Sequence, residues 1–127
     1  MKYLSDYMEQ PQTDLFNKTG TFFAFSNKQY EEQAKTGKKY VDMGGGMVTP
    51  TEYVKEVIET LHTIYQKSMD QDIKENGIEA IIKRELENYE AYYTNDLEPV
   101  TEALEDYPNI TQKDIIKVYQ RKWNEIQ

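Results

Sequence analysis

One long amphipathic helix, running from Thr49 to Gly77, constrains this chain more than any other stretch. Thr49 is a capping residue, Pro50 lacks an N–H where none is needed, and Glu52 stands where a reciprocal cap would reach back. Val54, Val57, Ile58, Leu61, Ile64, Tyr65 and Ile73 then recur at three- and four-residue intervals up to Asn76-Gly77, where glycine ends the helix. A helix over about residues 50–76 is about 37 Å long at 1.5 Å per residue. That exceeds the diameter of a chain of 127 residues, so the other elements are expected to pack along it. The expected architecture is a helix-dominated α+β fold: an antiparallel helical bundle around this helix, with a small two- or three-stranded sheet near the N-terminal half, in a single domain spanning 1–127.

The remaining elements are read from the same local signals. Leu4, Tyr7, Met8, Leu15 and Phe16 suggest one or two short helices interrupted near Pro11 and ended by Gly20. Phe22, Phe23, Ala24 and Phe25 form a short aromatic run suited to a buried strand. Ser26 and Gln29 have capping-box spacing ahead of a short helix that Gly37 stops. Tyr40 to Met43 and Met47-Val48 read as two strands around Gly44, Gly45 and Gly46. Ile78, Ile81, Ile82, Leu86, Tyr89, Tyr92 and Tyr93 fall in one helical arc, and Asp96 is placed to cap a third helix holding Leu97, Val100 and Leu104. Thr111 and Asp114 make a second capping box, ahead of a stripe of Ile115, Ile116, Val118, Tyr119, Trp123 and Ile126.

Composition bounds the function. A hydrophobic content of 38% fills one modest core. A net charge of -8 and a pI near 4.7 argue against direct nucleic-acid binding and favour a basic partner. No cysteine is present, so there is no disulfide and no thiolate chemistry, in keeping with a reducing cytoplasm. Met1 to Gln12 shows no apolar run ahead of its first acids, so neither a signal peptide nor a membrane span is expected.

Catalytic chemistry finds little to work with. Glu59 and His62 have the Glu-x-x-His spacing of half a di-iron site, but no second histidine exists to complete the other half. The three glycines ahead of a helix start invite an anion, yet they lack phosphate-loop spacing and read better as a hairpin turn. The pairs Glu85 with Glu87 and Glu102 with Glu105 are conceivable acid–base couples, although acids at such spacing usually lie on a solvated helix face. No catalytic residue, cofactor or metal ligand is assigned.

The informative feature is where the charge sits. Between Glu85 and Gln112 stand eight acids, Glu85, Glu87, Glu90, Asp96, Glu98, Glu102, Glu105 and Asp106, with no Lys or Arg. Of the 23 acids in the chain these eight leave 15, which balance the 15 bases elsewhere, so the whole net charge belongs to this segment. Glu98, Glu102 and Glu105 share one helix face, where like charges repel mildly. Such a patch suits docking into the positive groove of a nucleic-acid-binding protein. The competing reading is a solubilising face, partly offset by Lys113, Lys117 and Arg121 at four-residue spacing on the last helix.

The blocks MKYL, FFAFSNKQYEEQ, YVDMGGGMVTP and IEAIIKREL followed by NYEAYYTND resemble a small uncharacterised family from phages, prophages and other mobile elements of Bacteroidota. The resemblance covers most of the chain and carries no catalytic motif. It implies a counter-defence role similar to that of anti-CRISPR proteins, with an RNA-guided nuclease, of type VI and acting on RNA, as the sharpest expected target. The expectation is therefore a non-enzymatic inhibitor in the cytoplasm of a host bacterial cell, binding through the eight acids above. A self-associating phage structural or accessory protein, with homo-oligomers left open, is the first alternative, and an enzyme with a carboxylate-based site is the second.

Overall fold

Seven α-helices and a three-stranded antiparallel sheet make up the described part of the computed structural model, which covers residues 1–126 and, for side chains, 1–125. The fold is helix-dominated α+β. The chain divides into two compact units, Lys2–Lys67 and the chain from Ser68 on.

In the first unit, α1 spans Leu4–Thr19 without a break, carrying Pro11 inside it and ending on Gly20 at φ 78°. The interruption expected at Pro11 does not occur, because neighbouring turns hold the helix through the one missing N–H. Strands β1 (Phe22–Phe23), β2 (Tyr40–Gly44) and β3 (Met47–Pro50) form a sheet in the order β1-β3-β2. Gly44, Gly45 and Gly46 all have positive φ and close the β2–β3 hairpin, which assigns them to a turn that side chains disfavour. Between β1 and β2 lies α2, Asn27–Gln33, whose start is capped by Ser26 Oγ accepting from the Gln29 N–H at 3.2 Å.

The expected cap at Thr49 is a correction. Thr49 and Pro50 belong to β3, paired with Val41 and Tyr40, and the chain enters α3 (Val54–Asn76) through a 3-10 turn at Thr51–Tyr53. Thr49 is fully buried, and its hydroxyl lies 3.3 Å from that of Thr21. Thr21 in turn meets Thr19 at 2.8 Å, and Thr19 donates to the Leu15 carbonyl at 2.9 Å. Because Thr19 spends its proton on Leu15, the hydroxyls must run one way, from Thr49 to Thr21 to Thr19. Sheet pairing and this relay outweigh a local cap. The core here gathers Leu15, Val57 and Ile64, flanked by Met8, Phe16, Met47, Tyr53 and Leu61. Ile58, expected in the stripe, is exposed instead.

In the second unit the organising element is α4, Ile78–Asn88, which packs against α5 (Ala91–Thr94), α6 (Glu98–Leu104) and α7 (Gln112–Ile126). Ile81, Ile82, Leu86, Val100 and Leu104 are fully buried. Gly77, at φ 79°, ends α3 by donating to the Ile73 carbonyl at 2.9 Å and leads directly into α4. The helix expected to continue to Tyr93 breaks at Tyr89-Glu90, where Glu90 takes a left-handed φ of 53°. Thr111 and Asp114 form the reciprocal cap that the sequence implies: the Thr111 N–H donates to Asp114 Oδ2 at 3.0 Å and the Asp114 N–H to Thr111 Oγ1 at 3.2 Å. The bond from the Thr111 N–H, and then the Thr111 hydroxyl, hold the Asp114 carboxyl below its ordinary range. Ile116 is exposed and Trp123 only half-buried, so the stripe on α7 is narrower than expected, and the side chain of Ile126 lies outside the described residues.

Candidate interaction surface

The acidic segment is anchored by a buried polar centre that no local signal announces. Arg84, on the buried side of α4, donates from Nη1 and Nη2 to the two carboxylate oxygens of Asp72, each at 3.0 Å. Its Nε donates to Glu85 Oε1 at 2.9 Å. The Tyr107 hydroxyl donates to Asp72 Oδ2 at 2.6 Å and accepts from Arg84 Nη2 at 3.3 Å. Burial by itself would favour a neutral guanidine, but the bonds to Asp72, Tyr107 and Glu85 outweigh it and hold Arg84 charged. Burial, then the bond to Asp72, raises the Tyr107 hydroxyl well above the ordinary tyrosine range.

Glu85 is therefore a correction among the eight contact residues. It is buried and its carboxylate is engaged by Arg84, so it has no open face to offer. Arg84 and Glu85 stand three and four residues after Ile81, on the side of α4 that its apolar residues bury, but nothing local pairs Arg84 with Asp72 and Tyr107.

The other seven acids are exposed. Glu87 lies near the end of α4 and Glu90 in the left-handed turn that follows. Asp96 precedes α6, where its Oδ1 accepts from the Glu98 N–H at 3.0 Å. Glu98 and Glu102 lie one turn apart on α6, and Glu105 and Asp106 follow its last turn. Because α4 and α6 pack together, the fold draws both ends of the acidic segment into one unit. Two tyrosines accompany them, Tyr93 at 88% exposure and Tyr89 at 42%, and both present ring surface to a partner.

Of the bases on α7, Lys113 and Lys117 form no ion pair among the described residues, and the others are paired with acids outside this segment. Arg121 on α7 pairs with Glu79 at 3.0 Å, and Lys122 with Glu125 at 3.8 Å. Among the described residues, Glu87, Glu90, Asp96, Glu98, Glu102 and Glu105 form no ion pair. Behind this surface Tyr92 stacks on Tyr119 at 5.5 Å between ring centres, and Tyr119 on Trp123 at 6.2 Å. The Tyr92 hydroxyl is buried with no hydrogen-bond partner among the described residues, and burial, then the charges of Glu87 and Glu125, push it up.

A family model described as a family of unknown function, DUF7659, matches residues 4–125. The chain belongs to this family. The DUF7659 match takes in every helix and strand of the fold apart from the last residue of α7, and the acidic segment lies wholly inside it. No curated protein and no solved structure gives a significant match. Among the described residues, no group of three or more His, Asp or Glu side chains is placed to hold a metal ion, and no helix is long and apolar enough to cross a membrane. Glu59 and His62 both lie exposed on α3. What the geometry offers is a set of exposed carboxylates and phenol rings able to accept hydrogen bonds from, and stack against, cationic side chains.

Proposed function

We propose that this protein is a non-enzymatic inhibitor from a phage or mobile element, acting in the host cytoplasm on a nucleic-acid-handling defence protein. It docks on a basic groove of that protein through α6 and the turns flanking it, with Glu87, Glu90, Asp96, Glu98, Glu102, Glu105 and Asp106 meeting Lys and Arg side chains that otherwise hold phosphates. The observation that carries this reading is the unbalanced charge. From Leu86 to Gln112 there are seven acids and no base, and the arginines on α4 and α7 are committed to Asp72, Glu85 and Glu79. Exposed like charges at short spacing destabilise the unit that bears them, and a basic partner relieves that repulsion on binding.

The test is target-RNA cleavage by a purified type VI RNA-guided nuclease from Bacteroidota, with increasing amounts of the protein. Wild type suppresses cleavage in proportion to its binding, and a variant with Glu98, Glu102 and Glu105 all replaced by Lys does not. Suppression that survives the charge reversal rules out the acidic surface; no binding or suppression by wild type removes this nuclease as the target.

A further inference from the structure

The first unit holds a cleft of about 510 Å³ between the β2–β3 hairpin and the start of α2. Its walls include Phe25, Tyr30, Tyr40 and Val48, and its one charged lining residue is Asp42. Strand alternation places Tyr40 and Asp42 on the same face of β2, with Val48 paired opposite Asp42 on β3. The Tyr30 and Tyr40 rings meet edge to face, 6.0 Å apart at 84°, and so form a corner of two nearly perpendicular aromatic walls.

These walls are held in place before any ligand arrives. The Ala24 N–H donates to the Gly46 carbonyl at 2.8 Å, and the Phe25 N–H to Gln29 Oε1 at 2.7 Å. Those bonds set the Phe25 ring against Gly46, where an added Cβ would overlap it. Tyr40 is pinned by its hydroxyl accepting from the Lys35 N–H at 3.0 Å. Asp42 Oδ1 accepts from the Gly44 N–H at 2.9 Å, which orients the carboxylate, and among the described residues Asp42 has no ion pair. Phe25 nevertheless remains 74% exposed, an aromatic face fixed at the cleft without a covering group.

We infer that this cleft binds an organic cation, an alkylated ammonium or a guanidinium group, between its aromatic rings and the Asp42 carboxylate. Aromatic faces attract cations through their quadrupole, and a fixed carboxylate adds direct attraction. The same set of groups repels anions and gives a neutral ligand of equal shape no comparable gain. The cation comes either from a small free ammonium compound or from a Lys or Arg side chain on a protein. This assignment rests on the hairpin cleft alone and is independent of the acidic segment.

The experiment is an NMR titration of the full chain, following Tyr30, Tyr40 and the Gly44–Gly46 amides. Three probes are used: choline, its neutral isostere 3,3-dimethyl-1-butanol, and N-acetyl-arginine amide. Saturable shifts at these residues with a cation, and none with the isostere, are expected. Asp42→Asn and Tyr30→Leu each weaken cation binding by roughly three- to tenfold, while amides remote from the cleft stay unchanged. Tighter binding of choline identifies a free ammonium ligand, and tighter binding of the arginine derivative identifies a basic side chain. Equal binding of the neutral isostere, no saturable shift with either cation, or undiminished binding by both variants overturns the inference.

Discussion

Arg84 and Asp72 face each other across two parallel hydrogen bonds of 3.0 Å, joining α4 to the last turns of α3. Both side chains are almost wholly out of solvent, at 5% and 0% exposure, so neither charge has water to fall back on. An ion pair of this kind ties down geometry more than it adds stability, because desolvation offsets most of the attraction.

The losses from removing the two partners should therefore not add. Arg84→Ala should cost about 3–5 kcal/mol, since it strands the buried carboxylates of both Asp72 and Glu85, and Asp72→Ala should cost less, because Arg84 keeps Glu85 as a partner. The double variant Asp72→Leu with Arg84→Met should lose clearly less than the sum of the single losses. Urea unfolding of the three variants measures this, and additive losses would show that the pair is not coupled.

Tyr107 links the same centre to alkaline pH. Its folded pKa is raised, by burial first and then by the bond to Asp72, whereas tyrosines in the unfolded chain titrate near ~10. The folded state holds the proton longer, so this contribution is fully present below the unfolded value and is lost as pH rises towards the folded one. Wild type should accordingly lose stability above about pH 10 more steeply than Tyr107→Phe. Chemical unfolding of both proteins from neutral to strongly alkaline pH tests the slope; parallel curves would mean that Tyr107 does not titrate with unfolding.

Two threonines that look alike in sequence should behave differently. Thr111→Ala removes a working cap and should cost ~1 kcal/mol, with Thr111→Ser restoring most of it. At Thr49, serine keeps the hydroxyl but opens a cavity in a closed site, so Thr49→Ser should not rescue as it does at Thr111. Thr49→Val keeps the shape, removes the first donor of the hydroxyl relay, and should cost about 0.5–1.5 kcal/mol. Thermal melts decide, and a Thr49 that tolerates Ser as well as Thr111 does would return it to the role of a cap.

Glu90 sits in a left-handed turn at φ 53°. A residue with a Cβ is strained there by about 1–2 kcal/mol, part of which glycine recovers. Glu90→Gly should leave the protein equally or more stable, while Glu90→Val, β-branched at positive φ, should destabilise it. If valine is tolerated as well as glycine, the break between α4 and α5 is not held at this residue.

The acidic surface predicts a salt dependence. Association of wild type with its target should weaken as ionic strength rises, since exposed charges are screened over about 8 Å at physiological salt. The variant with Lys at Glu98, Glu102 and Glu105 should fold, because all three are exposed, with a small loss from placing a cation in the first turn of α6. Its affinity should collapse at low salt, where wild type binds best. Equal affinities for both proteins at low and high salt would leave the surface as a solubilising face.

Much of the fold is legible in the sequence because its signals are local. Ser26 with Gln29, Thr111 with Asp114, and Gly77 after Asn76 each close bonds within a few residues, so spacing alone places those helix ends. The glycine-centred hairpin, the long helix through Ile64 and Ile73, and the concentration of acids after Leu86 are equally visible, since each depends only on residue order. Tertiary structure alone decided the rest. Thr49 carries every mark of a cap, yet pairing with Val41 and a hydroxyl contact 28 residues away draw it into a strand. Glu85 counts as one more surface acid until Arg84, itself committed to Asp72 12 residues earlier and to Tyr107 23 residues later, takes its carboxylate inside. A charge in a sequence carries no mark of its solvation. Whether it becomes a contact or a buried partner depends on which distant group the fold brings within 3 Å, and periodicity does not encode that distance.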